Sequence, residues 1–137
     1  MTTEYVSPDG RHTLRLIEEG EIRFGPMYFT PALDGKHYPD IIMGDCCAWS
    51  PDSRHLALQE WLTTDYGAGP VTRAKIIDLE KRVFYDAYEA QKAFVENFAF
   101  TGEEFSYDAN YQGLGKKVSY SISFGDIRTW KPLGTGE

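Results

Sequence analysis

Cysteine is scarce in this sequence: among 137 residues two are Cys, and they are neighbours, Cys46 and Cys47. Adjacent residues of a strand point to opposite faces, so these thiols cannot pair without distorting the backbone, and a disulfide framework is excluded. With only Asp45 beside them and no His at ligand spacing, they make a poor metal site. A reducing, cytoplasmic setting is expected. Long apolar runs are missing too: nothing approaches the ~18 consecutive apolar residues of a membrane helix. Met1-Thr2-Thr3-Glu4-Tyr5 lacks the basic start and apolar run of a secretory leader. Neither a membrane association nor export is expected.

Cations are few. Fourteen Lys and Arg face twenty-one Asp and Glu, for a net charge of −7. Such a surface repels phosphate backbones, and the best basic stretches, Lys81-Arg82 and Lys116-Lys117, are too short to track one. Nucleic acid is therefore not an expected partner. The acidity serves either solubility or a basic protein partner.

Catalytic signatures are lacking as well. There is no Gly-x-Ser-x-Gly elbow, no His-Glu-x-x-His and no Ca²⁺ loop. Gly113-Leu114-Gly115-Lys116-Lys117 is too short for a phosphate loop, lacks its Ser or Thr, and reads as a hairpin turn. Glu18-Glu19 and Glu103-Glu104 are paired carboxylates, but both pairs fall at turn signals and read as solvated. Cys47 lies in an apolar run and reads as a buried thiol. His37 reads as a solvated loop residue. No catalytic residue, metal or cofactor is expected, and the chain is read as a non-enzyme.

What is present is aromatic: nine Tyr, eight Phe and three Trp, types that favour pleated surfaces. The length suits a single domain over 1–137, burying about two-thirds of its unfolded surface. The pattern predicts a mostly β fold. Strands are expected at 11–17, 22–30 (broken by Gly25-Pro26), 41–49, 54–62, 71–78, 82–85, 98–100, 104–107, 117–124 and 127–132. Glu18-Glu19-Gly20-Glu21 reads as a tight reversal, with Gly20 supplying positive φ. Leu33-Asp34-Gly35-Lys36 and Leu79-Glu80-Lys81 are further turns. One short helix is predicted over 86–95, where Ala87, Ala90, Ala93 and Phe94 recur at helical spacing.

Two stretches repeat. Tyr5-Val6-Ser7-Pro8-Asp9-Gly10-Arg11-His12 and Ala48-Trp49-Ser50-Pro51-Asp52-Ser53-Arg54-His55 place a Ser-Pro-Asp turn between an apolar residue and a new strand. Pro fixes φ, Asp holds the turn through its side chain, and Gly10 or Ser53 exits. Val6 or Trp49 is expected to pack on Leu14 or Leu56. His12 and His55 share a repeat position. A worn third copy lies at Phe98-Ala99-Phe100-Thr101-Gly102-Glu103-Glu104-Phe105-Ser106-Tyr107.

This motif resembles the TolB-type β-propeller repeat, and Ile76-Ile77-Asp78-Leu79-Glu80 resembles a later strand of such a blade. The resemblance implies four-stranded antiparallel blades and binding or scaffolding roles. A chain of this length has room for about three blades against the roughly four to eight of a closed ring. Either chains associate to complete a ring, or the strands form an antiparallel meander or two packed twisted sheets built from blade-like hairpins. The second is preferred. In function, the expectation is an acidic binding protein that neutralises a basic partner, such as an immunity protein against a bacterial nuclease toxin. Its expected contact residues are Glu18, Glu19, Glu21, Asp65, Tyr66, Glu103, Glu104 and Asp108, carboxylates to steer and an aromatic to anchor. The alternative is a propeller-derived scaffold or ligand-binding module that self-associates.

Overall fold

The computed structural model describes residues 2–22, 25–65 and 67–136. Strands β1 (Thr2–Val6), β2 (Thr13–Glu21), β3 (Met27–Leu33) and the short β4 (Lys36–His37) form a first antiparallel unit. Strands β5 (Met43–Trp49), β6 (His55–Trp61), β7 (Val71–Asp78) and β8 (Val83–Asp86) form a second. The two-residue β9 (Ala90–Gln91) pairs with β7. A separate three-stranded sheet holds β10 (Phe94–Thr101), β11 (Glu104–Tyr111) and β12 (Lys116–Ser123), and β13 (Lys131–Pro132) returns to β8. The fold is mostly β and antiparallel, and its sheets do not close into a barrel.

One ladder pair, Phe29 with Met43, joins the first two units into a ten-stranded sheet. That sheet folds over the seam. Leu14, Leu16 and Leu33 from the first unit share a buried cluster with Leu56, Leu58 and Ile77 from the second. The other face of the second unit, Ala57, Ala74 and Ile76, packs against Val95, Phe105, Tyr107 and Ala109 of the small sheet. Strands β6 and β7 are thus covered on both faces. Each fully buried Leu here contributes about 2 kcal/mol relative to exposure. The outer face of the small sheet is polar, and the far end of the stack mixes an opposed charge pair with the exposed Val6. On the outside of the small sheet Ser106 faces Ser121 and Asp108 faces Ser119, and at the far end Glu4 faces Arg15.

The structure corrects several expectations. No helix covers 86–95: β8 runs to Asp86 and β10 begins at Phe94. Ala87, Ala90 and Ala93 are buried where the chain passes from the second unit to the small sheet, in the cluster that the two share. The Thr72 hydroxyl donates to the Ala93 carbonyl and accepts the Val95 N–H, and Gln59 donates to the Val95 carbonyl. These bonds hold the backbone extended and outweigh helical propensity. Residues 18–21 do not reverse the chain. Strand β2 continues through Glu21 with a bulge between Glu18 and Gly20. The turn comes later, where Gly25 N–H bonds the Ile22 carbonyl and Ile22 N–H bonds Pro26. Gly20 serves close packing, since a Cβ there would lie 2.7 Å from the Tyr28 hydroxyl. Val6 points outward, and Tyr5 faces Leu14 instead. His37 is no free loop residue, because its Nε2 lies 2.8 Å from Thr30 Oγ1.

Candidate functional site

Both Ser-Pro-Asp turns are built by the same bonds. The serine hydroxyl donates to the aspartate Oδ1 two residues on, at 2.7 Å for Ser7–Asp9 and 2.6 Å for Ser50–Asp52. The same hydroxyl accepts the N–H of His12 or His55, at 3.0 and 2.9 Å. The carboxylate also accepts the N–H of Arg11 or Arg54, at 2.9 and 3.1 Å. Gly10 and Ser53 take the left-handed position with φ of 74° and 63°.

The turns are stacked across the seam. Asp9 N–H donates to Ser53 Oγ at 2.9 Å, and His12 stacks on Trp49 with centroids 6.2 Å apart and planes 18° off parallel. His55 stands to Phe100 of the small sheet as His12 does to Trp49, at 6.3 Å and 19°. The third hairpin has no Ser-Pro-Asp turn, however, and only Gly102 and Glu103 link β10 to β11. The shorter link leaves the space over the second turn open. A cleft of about 680 Å³ lies there, between the second turn, the β10–β11 hairpin and Trp130.

The floor of the cleft is aromatic. Phe124 stacks on His55 with centroids 4.4 Å apart, and Trp130 lies 6.4 Å from the same imidazole. The rim is charged. Arg54 forks onto Asp78, with Nη2 2.9 Å from Oδ2, and its Nε lies 3.7 Å from Glu80. Lys81 and the carboxylates of Asp52 and Glu103 complete the lining. Among the described residues neither Asp52 nor Glu103 makes an ion pair within 4 Å, and Lys81 makes none either.

The electrostatics follow from these contacts. The Ser50 hydroxyl and then the Arg54 N–H hold Asp52 below the ordinary carboxylate range. Burial pulls Asp78 upward, but the Arg54 guanidinium and the Lys81 N–H outweigh it, and Asp78 titrates low. Burial lowers His55, and the opposing pull of Asp78 is smaller, so the imidazole is neutral at pH 7. The result is a neutral stacked floor beneath ionised carboxylates. Such a surface can stack a planar group and neutralise a positive one.

Other ionisable groups are committed to structure. Burial pushes the Cys46 and Cys47 thiols up to about 11 and about 12, so neither is a thiolate at neutral pH. Buried Glu60 and Lys75 form an ion network with half-buried Arg73 and Asp86, with Arg73–Glu60 at 2.7 Å and Lys75–Asp86 at 2.8 Å. Among the described residues no group of three or more His, Cys, Asp or Glu is placed to hold a metal ion. No helix of the described residues is long and apolar enough to cross a membrane.

The expected contact residues do not converge. Glu18 pairs with Phe29, Phe29 with Met43, Met43 with Glu60 and Glu60 with Arg73, a row across the sheet at the end opposite the cleft. Glu18, Glu19 and Glu21 lie there in β2, and Asp65 lies beyond the same end of β6. Glu19 accepts the Thr30 hydroxyl at 2.8 Å, and Asp65 caps its own turn through Gly67 N–H at 2.9 Å. Tyr66 lies outside the described residues. Glu104 opens β11 opposite Ser123. Asp108 is not in a turn but within β11, bonded to Asn97 and Ser119. Among the described ones, only Glu103 lines the cleft. The group of Asp52, His55, Phe124 and Trp130 escaped sequence reading, although the shared position of His12 and His55 marked one member of it.

No family model matches the chain, and no curated protein or solved structure matches it.

Proposed function

We propose that this protein is a non-enzymatic, acidic binding protein that neutralises a basic protein partner, in concrete form an immunity protein against a bacterial nuclease toxin. The observation that carries the reading is the cleft at the turn end, where the Asp52 and Glu103 carboxylates, without an ion-pair partner among the described residues, stand over an aromatic floor. A net charge of −7 adds long-range steering toward a cationic surface. Compared with the sequence reading, the contact surface moves to the second Ser-Pro-Asp turn and keeps Glu103. The polar outer face of the small sheet favours a self-contained chain over assembly into a ring. We place the protein in the cytoplasm, where Cys46 and Cys47 stay reduced.

Capture from the host with tagged protein tests this reading. The expected result is one basic protein, held by monomeric bait and released as salt rises from about 50 to about 500 mM. Recovery of the bait alone, or of a partner whose binding ignores salt, would refute it.

A further inference from the structure

We propose that the cleft takes an arginine side chain of the partner, its guanidinium lying on the Trp130 indole between the carboxylates of Asp52 and Glu103. The proposal rests on the reading above and names the group by which the partner is held.

Three features select this chemistry. The lining carries three carboxylates, Asp52, Asp78 and Glu103, against two cations, Arg54 and Lys81. Arg54 is engaged by Asp78 and Glu80, so two carboxylates face a single free cation among the described lining residues. The lining also carries three aromatic rings, Phe100, Phe124 and Trp130, the first two within 9° of parallel. A planar cation uses both surfaces at once. Guanidinium stacks on an indole and donates to carboxylates in the same plane, whereas ammonium is compact, strongly hydrated and unable to stack. His55 adds no competing charge, because it is neutral and covered by Phe124.

The origin of the cleft supports the assignment. Where the first and second turns meet, Ser53 fills the position over Asp9 from within the chain. At the next junction the short Gly102-Glu103 link leaves the equivalent position to an external side chain.

The test uses the full chain, ¹⁵N-labelled, titrated with acetyl-Gly-Arg-Gly-amide and with the same peptide carrying citrulline or lysine. The Trp130 indole N–H is assigned through Trp130→Phe. We expect a saturable shift of that signal with the arginine peptide, about tenfold weaker with lysine and none with the uncharged citrulline. Glu103→Gln and Asp52→Asn, which keeps an acceptor for Arg54 N–H, each weaken binding several-fold. Lys81→Glu strengthens it, a gain that no loss of folding can imitate. An equal response to citrulline, or affinity unchanged in all three variants, would overturn the proposal. The two readings separate cleanly. A captured basic partner that the arginine peptide does not displace leaves the general function standing and removes this site. Arginine binding with no partner captured does the reverse.

Discussion

Replacing Ser50 by alanine removes a hydroxyl that both donates to the Asp52 carboxylate and accepts the His55 N–H, in a side chain 4% exposed. The half-buried His55 N–H is left without its acceptor, a loss of about 1–3 kcal/mol. The bond to Asp52 is replaced in part by water, because that carboxylate faces solvent, and adds about 0.5 kcal/mol. The expected destabilisation is about 2.5 kcal/mol. With a urea slope of about 2 kcal/mol/M, the midpoint falls by about 1.2 M. Ser7→Ala deletes the same two bonds in the first turn but should shift the midpoint by less than half as much. Its strand, β1, is an edge strand paired only with β2, and local fraying lets water reach the freed N–H. Equilibrium urea unfolding of both variants, followed by tryptophan fluorescence, decides the matter. A pH arm sharpens it. Asp52 titrates low in the folded state chiefly because of the Ser50 hydroxyl, so its stabilisation is present above the ordinary carboxylate range and fades as pH falls through the folded value. The gap between wild type and Ser50→Ala should therefore narrow below about pH 4. An effect under about 0.5 kcal/mol for Ser50→Ala, or a larger one for Ser7→Ala, would refute the reasoning.

Two further outcomes follow from the buried charges. His55 is lowered by burial, so between its folded value and the ordinary value of about 6.5 the unfolded chain binds the extra proton. Stability is full above that window and falls as pH drops through it, and the slope in urea midpoint between pH 7.5 and 5.5 (about two units,) should flatten in His55→Phe. Lys75, 4% exposed, lies between Asp86 and Glu60 and over the Phe84 ring. Lys75→Ala should lose about 3 kcal/mol by leaving two carboxylates to Arg73 alone, and adding Glu60→Gln should recover part of it. Strictly additive losses in urea unfolding would contradict the network.

The sequence made local turn chemistry legible. The Ser-Pro-Asp motifs, Asp34-Gly35 and the Leu79-Glu80-Lys81 hairpin specify their conformations within a few residues, and each forms as expected. Misreadings arose where packing decided. Alanines at 87, 90 and 93 mimic a helical stripe, yet they are buried in the core that the second unit shares with the small sheet. Gly20 imitates a turn glycine while making room for Tyr28. The site was legible in pieces only. Asp52 and His55 belong to the repeat and Glu103 to a turn, but Phe124 and Trp130 reach them through the pairing of β12 with β11 and of β13 with β8. Nothing local announces a contact between residues so far apart in the chain.

Because Phe29 and Met43 are the sole ladder pair between the first and second units among the described residues, the backbone offers little resistance to rotation about that line. The restoring force comes from side chains, the leucine cluster on one side of the line and the Asp9–Ser53 contact at its end. Any rotation about that line would be felt at Ser53, the residue next to Asp52, through its bond to Asp9 N–H. A load applied to β1 or β2 would reach the carboxylate at the rim through the Asp9–Ser53 contact, so the far unit is a lever on the cleft.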